Sequence, residues 1–251
     1  MATTTYNVTE QGRLWIAPRN STGVTGAMIE VGDADNLQLS FAQTFTDVFE
    51  SQTGLRANAV HALTQTDATV TLDILNFDGA NLARALFGST AGVAAATVTA
   101  EAQKCYNGGS IWIVPGATSV VLKKGATTCV LNTDYTYDVT NGRINVLTGS
   151  TVITATTGTG DACTVDYVHT GWVAKVQALT QGLKDFKLVH EAIGFDGTIS
   201  RHEIHRVVLD MTKTIALITT GVNKLALTGK LLPAPEVTTA GMSQYYQKYQ
   251  K

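Results

Sequence analysis

Leu37-Gln38-Leu39-Ser40-Phe41-Ala42-Gln43-Thr44-Phe45-Thr46-Asp47-Val48-Phe49-Glu50 decides how the rest of this chain is read. Successive side chains of a strand point to opposite sides. Leu37, Leu39, Phe41, Phe45 and Phe49 therefore share one face, and Gln38, Ser40, Ala42, Thr44, Thr46 and Glu50 share the other. One face packs and the other stays wet. At about 3.3 Å per residue such a strand runs roughly 45 Å, far beyond the usual five or six residues. A ribbon of that length should project past its own domain.

Working outward, Ser51-Gln52-Thr53-Gly54-Leu55-Arg56 reads as a turn, and a second long strand follows from about Ala57 to Leu75. In it Val70, Leu72 and Ile74 alternate with Thr69, Thr71 and Asp73, so the two strands predict one extended hairpin. Asp78 to Gly88 predicts a short helix: Asp78 caps its start, Gly88 takes the left-handed position at its end, and Leu82, Ala85 and Leu86 share a face that covers the sheet. From about Val93 to Val168 the pattern becomes short strands separated by turn signals such as Asn107-Gly108-Gly109 and Asn141-Gly142, which predicts an inserted β lobe at about residues 110–168 within a main domain of residues 1–235. A last group of strands covers Trp172–Gln177, Phe186–Ile193, Ile199–Met211 and Lys224–Leu232. Residues 236–251 read as a C-terminal arm, with Tyr245, Tyr246 and Tyr249 suited to docking on a neighbour.

Charged residues make up 15% of the chain, so Thr, Ser, Asn and Gln carry most of the surface polarity. That composition fits either a surface made for repeated contacts or an ordinary Thr-rich β protein. Up to residue 100 there is no Lys, and Arg13, Arg19, Arg56 and Arg84 stand against nine Asp and Glu residues. The rest of the chain is mildly basic, and the distribution argues against a concentrated basic face for gripping phosphates. Cys105, Cys129 and Cys163 are widely spaced with no CxxC pair, and no secretory leader is read at the start; buried free thiols and intracellular synthesis are expected. No run of about 20 apolar residues predicts a membrane span.

The search for chemistry returns no catalytic, cofactor-binding or metal residues. Arg201-His202-Glu203-Ile204-His205 lacks the HExxH spacing, and on a strand His202 and His205 face opposite ways. Gly158-Thr159-Gly160 lacks the third glycine of a dinucleotide fingerprint and the lysine of a phosphate loop, so it reads as a turn. No GxSxG elbow and no paired carboxylates stand out. Trp15, Trp112 and Trp172 are scattered among apolar neighbours and read as core residues.

Four stretches, in order, carry a family resemblance. They are Val31 to Phe41 leading to Phe49-Glu50-Ser51-Gln52-Thr53-Gly54; Val70 to Ile74 running into Asn81 to Gly88; Thr133-Asp134-Tyr135 to Gly142-Arg143-Ile144; and Gly194 to Thr198 with Val207 to Leu209 and Leu225 to Leu232. Their order resembles the major tail (tail tube) proteins of siphophages, and the third is similar to a TDYxxDxxxGRI segment common in phage virion proteins. The resemblance implies a mainly β, sandwich- or barrel-forming tail-tube-like fold with one short α-helix and a long projecting hairpin. It also implies a structural role without catalysis: six copies form a ring, their inner sheets join into a barrel, and rings stack into a tube through which the genome leaves. Gln38, Ser40, Thr44, Thr46, Glu50, Thr69, Thr71 and Asp73 are then the expected lumen lining. Phe49, Ser51, Gln52, Thr53, Gly54, Leu55 and Arg56 are the expected inter-ring loop. The implied partners are further copies of the chain, a tape-measure protein and a tail terminator; DNA transits without specific binding, and no membrane is involved. The implied location is the virion tail, after synthesis in the host cytoplasm. The β material at 110–168 departs from the simplest family pattern and leaves the inner strands of the second half unassigned. A tube protein of a secretion or contractile machine would share the fold, and an adhesive or carbohydrate-binding β-sandwich would instead require clustered exposed aromatics.

Overall fold

A computed structural model of the chain describes residues 10–20, 22–50 and 58–251. The protein is mainly β, 55% strand and 3% helix, in antiparallel sheets of the β-sandwich type. In chain order the elements are β1 (Glu10–Arg19), β2 (Ile29–Glu30), β3 (Ala34–Phe49), β4 (Asn58–Ile74), α1 (Gly79–Ala85), β5 (Ser89–Val93), β6 (Ala96–Cys105), β7 (Ser110–Trp112), β8 (Thr118–Lys124) and β9 (Thr127–Thr128). They continue with β10 (Tyr135–Asp138), β11 (Arg143–Val146), β12 (Asp161–His169), β13 (Trp172–Gln177), β14 (Asp185–Gly194), β15 (Ile199–Leu209), β16 (Leu225–Leu231) and β17 (Tyr246–Gln250). Two compact units result: one from the residues up to Thr90 together with Val176–Lys251, the other from Ala91–Lys175. The second unit is wider than the 110–168 expected, because β6 pairs with β12 and so belongs to it.

In the first unit the sheet order is β2-β1-β14-β15-β16-β4-β3, with β17 also pairing β15. A short link decides its shape. Residues 31–33 carry the chain from β2 at one end of this order to β3 at the other. Laid flat, seven strands about 4.8 Å apart would separate those ends by roughly 29 Å, whereas four residue steps span at most about 14 Å. The sheet must therefore curl and enclose one face. That face holds Leu14, Ile16, Val70, Leu72, Leu188, Ile204, Leu225 and Leu227, each at most 2% exposed. Full burial of side chains of this size contributes about 1.5–3 kcal/mol each.

Helix α1 closes on this core through Ala85, with Leu82 packed partly against it. Asp78 caps it, its carboxylate accepting from the Asn81 backbone N–H at 2.6 Å. Asn81, buried, donates through Nδ2 to Val31 O at 2.8 Å and Asn76 O at 3.1 Å, and so ties the helix to the link that curls the sheet. The end of the helix differs from expectation. Phe87, not Gly88, takes the left-handed conformation, with φ 47°. Gly88 is required for a different reason: a Cβ there would lie 2.4 Å from Gln177 O.

The second unit is a sandwich of a four-stranded sheet, β6-β12-β8-β9, and a three-stranded one, β10-β11-β7, around Leu122, Ile144, Ile153 and Val165. The Thr133 to Ile144 segment sets its frame. Asp134 accepts from Val130 N–H and from Ser150 Oγ at 2.7 Å each, and those bonds hold its carboxyl below the usual range. Tyr135 and Tyr137 donate their hydroxyls to Val120 O and Ala117 O. Asp138 accepts from Thr140 N–H and from Asn141 in the turn. Gly142 has φ 65°, and a Cβ there would meet Ile113 O at 2.5 Å. Cys105, Cys129 and Cys163 are free and buried in this core, where desolvation pushes all three thiols up. Gly142→Ala combines left-handed strain with a backbone clash and is expected to cost about 2–4 kcal/mol; a stability from denaturant titration within roughly 0.5 kcal/mol of wild type, the range of surface substitutions, would refute it.

Candidate assembly surface

The β3–β4 hairpin brings most of the expected lumen residues to one side. Gln38 pairs Thr71, Ser40 pairs Thr69, and Asn36 pairs Asp73, while Leu39 pairs Val70 and Leu37 pairs Leu72 on the core side. Exposure follows the same parity: Ala68, Val70, Leu72 and Ile74 are buried, whereas Thr69 is exposed and Thr71 and Asp73 are half-buried. Thr44 and Thr46 continue the open side opposite Gln65 and Ala62, and Glu50 follows the end of β3 half-buried. Extra residues interrupt the ladder at Asp35 on β3 and at Thr64 and Ala59 on β4. Beyond Asn36 the bulges fall on β4 alone, so the alternation of β3 survives to Phe49. Thr64 fills its bulge by donating its hydroxyl to Thr44 O at 3.0 Å. Of the expected inter-ring loop, Phe49 is the exposed last residue of β3, and Ser51 to Arg56 lie outside the described residues.

Three residues of this side were not anticipated. Ala226, Thr228 and Lys230 of β16 pair with Asp73, Thr71 and Thr69, and so widen the polar face to three strands. Their alternation with Leu225, Leu227 and Leu231 is the signal that could have found them. The face is less acidic than its first two strands imply. Lys230 Nζ lies 3.6 Å from Asp67 Oδ1, and Lys224 pairs with Asp35, which raises the Lys224 pKa.

Past residue 41 on β3 and before residue 67 on β4 the hairpin leaves the core, and both strands are exposed on both sides. Phe41, Phe45, Val48, Phe49, Val60 and Leu63 are each 44–57% exposed there. Phe45 stacks on His61 with ring centroids 4.3 Å apart, and His61 pairs with Asp47, lowering the Asp47 carboxyl. These contacts hold the two strands together at the tip without covering their apolar surface. From Ala34 to Val48 the outer edge of β3 carries no strand among the described residues.

The C-terminal tyrosines do not form a free arm. Tyr246 to Gln250 are β17, paired with β15 in the chain's own sheet, and Tyr245 and Tyr246 pack on the core. The reason is a polar cluster. Lys248 Nζ lies 2.7 Å from Glu10 Oε1, His202 Nε2 2.5 Å from Glu10 Oε2, and the Tyr246 hydroxyl 2.7 Å from His202 Nδ1. Tyr249 keeps 44% exposure beneath the Arg201 guanidinium, 4.6 Å from its ring centroid. The Lys248 bond is the main cause of a Glu10 pKa of about 2, and burial lowers that of neighbouring His190. His202 and His205 do face opposite sides: His205 is buried beside Arg19 and Lys187, away from Glu10.

The tryptophans also correct their expectation. Trp112 is 64% and Trp172 40% exposed, and Trp15 is half-buried with its indole N–H donating to Glu191. For Trp15 and Trp112 the apolar sequence neighbours misled, because Leu14 and Ile16, and Ile111 and Ile113, are buried on the other side of alternating strands. Among the described residues no three His, Cys, Asp or Glu side chains are grouped to hold a metal ion, and no helix is long and apolar enough to cross a membrane.

Fold and surface together define a mainly β protein whose hairpin outruns its core. Residues 8–248 match the model of a family described as Protein of unknown function UCP028589, and the chain belongs to that family. No curated protein matches it. The Glu10 cluster gives the chain an acid-sensitive anchor. A folded pKa of about 2 against 4.5 means its stabilisation is complete above pH 4.5 and is lost as pH falls toward 2. Glu10→Gln is expected to lower stability at pH 7 by about 1–3 kcal/mol and to flatten the wild-type decline between about pH 5 and 3. Parallel pH profiles for the two proteins, measured by thermal denaturation, would contradict this.

Proposed function

We propose that the chain is a tube-forming structural protein of the siphophage tail-tube type, built as hexameric rings that stack into a conduit for a genome. One observation carries the reading: a hairpin of 16- and 17-residue strands leaves its own core with apolar side chains exposed, and no described strand covers the outer edge of β3 from Ala34 to Val48. Long, exposed apolar edges are aggregation sites unless something covers them. Closing such sheets into a ring of identical copies removes the edges and buries the hydrophobic hairpins.

The polar face of β3, β4 and β16 then lines the channel. Hydroxyls and amides dominate it, and Lys230 is offset by Asp67, so it offers little to grip phosphate. Glu50 and Asp73 add negative charge that acts over a Debye length of about 8 Å. DNA would pass without specific binding, while a tape-measure protein occupies the channel before ejection and a terminator caps the tube. The role is structural, with no catalysis, and its place is the virion tail. A tube of a secretion or contractile machine shares this reading up to the choice of stacking partners.

Electron microscopy of the purified chain is expected to show rings, single or stacked into tubes. Phe45→Lys with Leu63→Lys should leave a folded monomer, because both side chains lie beyond the core. A wild-type protein that stays monomeric at all concentrations and is missing from the tail shaft would sink the proposal. Within assembled particles, Glu50→Lys with Asp73→Lys should preserve the tube and reduce genome delivery; full infectivity would count against charge repulsion in the channel.

A second, adhesive reading of residues 91–175 has one observation in its favour. Trp112 pairs with Arg143 on the outer side of the three-stranded sheet, next to the Ser110 and Asn145 pair. An exposed indole flanked by polar groups suits stacking against a sugar ring. Quenching or shift of Trp fluorescence on titration with oligosaccharides, abolished by Trp112→Ala, tests it; no response across a glycan panel would dismiss it.

A further inference from the structure

Two features of the first unit have no role in the polar face or the hairpin. The first is the turn between β14 and β15. Phe195 is 97% exposed at its tip, and the Ile193 and Ile199 pair beneath it is 61% and 59% exposed. Gly197 N–H donates to Gly194 O, Gly194 N–H donates to Thr198 O, and Asp196 accepts from Thr198 N–H. The aromatic knob is thus held on a tight turn, with one acid and no base between Ile193 and Ile199. The second feature is a cavity of about 320 Å³ beside the end of α1. Ile29, Ala83, Phe87 and Phe186 form its apolar lining, Arg84 and Lys184 supply cations, and among the described residues no acid lines it.

Knob and cavity complement each other in shape class and in charge: an aromatic ring with an adjacent carboxylate faces an apolar recess with two cations. They cannot meet within one chain. Phe186 and Ile193 sit near opposite ends of β14, and at about 3.3 Å per residue the knob lies roughly 30 Å from the recess. Knob and recess are different surfaces, so a head-to-tail contact leaves each copy with one of them open, whereas exchange of both across a two-fold axis closes a dimer. Head-to-tail contacts propagate into closed rings or open stacks. A second exposed apolar segment, Leu217 and Ile218 at 90% and 96%, competes for the role of knob. It has only uncharged residues from Thr214 to Asn223, so the cationic recess does not select it.

We propose that the Phe195–Asp196 turn of one copy docks in the recess lined by Phe87, Phe186, Arg84 and Lys184 of the next, a head-to-tail contact running along the direction of β14. This rests on the self-assembly reading and specifies one of its joints. Rigid aromatic anchors in apolar pockets dominate interface energetics, and the paired charges fix the partner and make association salt-sensitive.

Sedimentation velocity and electron microscopy on six proteins test the joint: wild type, Phe195→Ser, Asp196→Lys, Lys184→Asp, the double swap Asp196→Lys with Lys184→Asp, and Leu217→Ser with Ile218→Ser. Phe195 and Lys184 are exposed, so folding should survive, as circular dichroism would verify. Phe195→Ser and each single charge reversal should weaken assembly by at least about 30-fold. The double swap should recover most of the loss. Single variants that assemble like wild type would overturn the joint and leave the tube reading standing. So would a double swap that stays as weak as the singles. A Leu217→Ser, Ile218→Ser protein that fails to assemble while Phe195→Ser succeeds would give the recess to the other loop, again overturning the proposal. A wild type that never assembles removes both the joint and the tube reading.

Discussion

The link of residues 31–33 governs the first unit. It joins the two ends of a seven-strand order across a distance that a flat sheet cannot close, so the sheet must roll up around its apolar face. Everything that fixes the core follows from that roll. Val31 is fully buried and donates its N–H to Leu14 O, Leu75 N–H reaches Asp33 O, and Asn81 brings α1 onto the same link. With the apolar face enclosed, the opposite face of β3, β4 and β16 is free to be polar, and among the described residues the hairpin strands that outrun the enclosure are exposed on both sides.

The two-faced hairpin was legible because strand alternation is local. Leu37, Leu39, Val70 and Leu72 announce the core side, and Thr69, Thr71 and Asp73 the open side, from their spacing alone. The bulges at Thr64 and Ala59 left that reading intact because they fall on β4 beyond its buried part. Non-local features were less legible. The C-terminal tyrosines look like a free arm until Glu10, more than two hundred residues earlier, is placed beside Lys248 and His202. Gly88 looks like a helix cap, yet the close approach of Gln177 O is what demands a glycine there. Trp112 looks buried because Ile111 and Ile113 are, and alternation puts those neighbours on the opposite side.

The second unit shows a different kind of encoding, in which nearly every residue from Thr133 to Ile144 serves the local shape. Asp134 secures two donors, Tyr135 and Tyr137 pack on the core and satisfy their hydroxyls, Asp138 holds the turn, and Gly142 allows close backbone approach. A segment of this sort specifies shape. The function proposed for the chain rests instead on surfaces: a strand edge that no described strand covers, a polar face, and a knob and recess at the two ends of β14.

The pairing of β1 with β14 sets an order of events during synthesis. Trp15 and Glu191 are 176 residues apart, and β1 has no other long partner among the described strands. Loop closure over such a distance is slow, and it waits on the ribosome as well. Residues 91–175 emerge complete before β14 exists and can fold as a contiguous piece, while β1 and the apolar hairpin stay uncommitted. Through that interval the apolar side chains of the hairpin are already synthesised while the sheet they belong to is still unclosed.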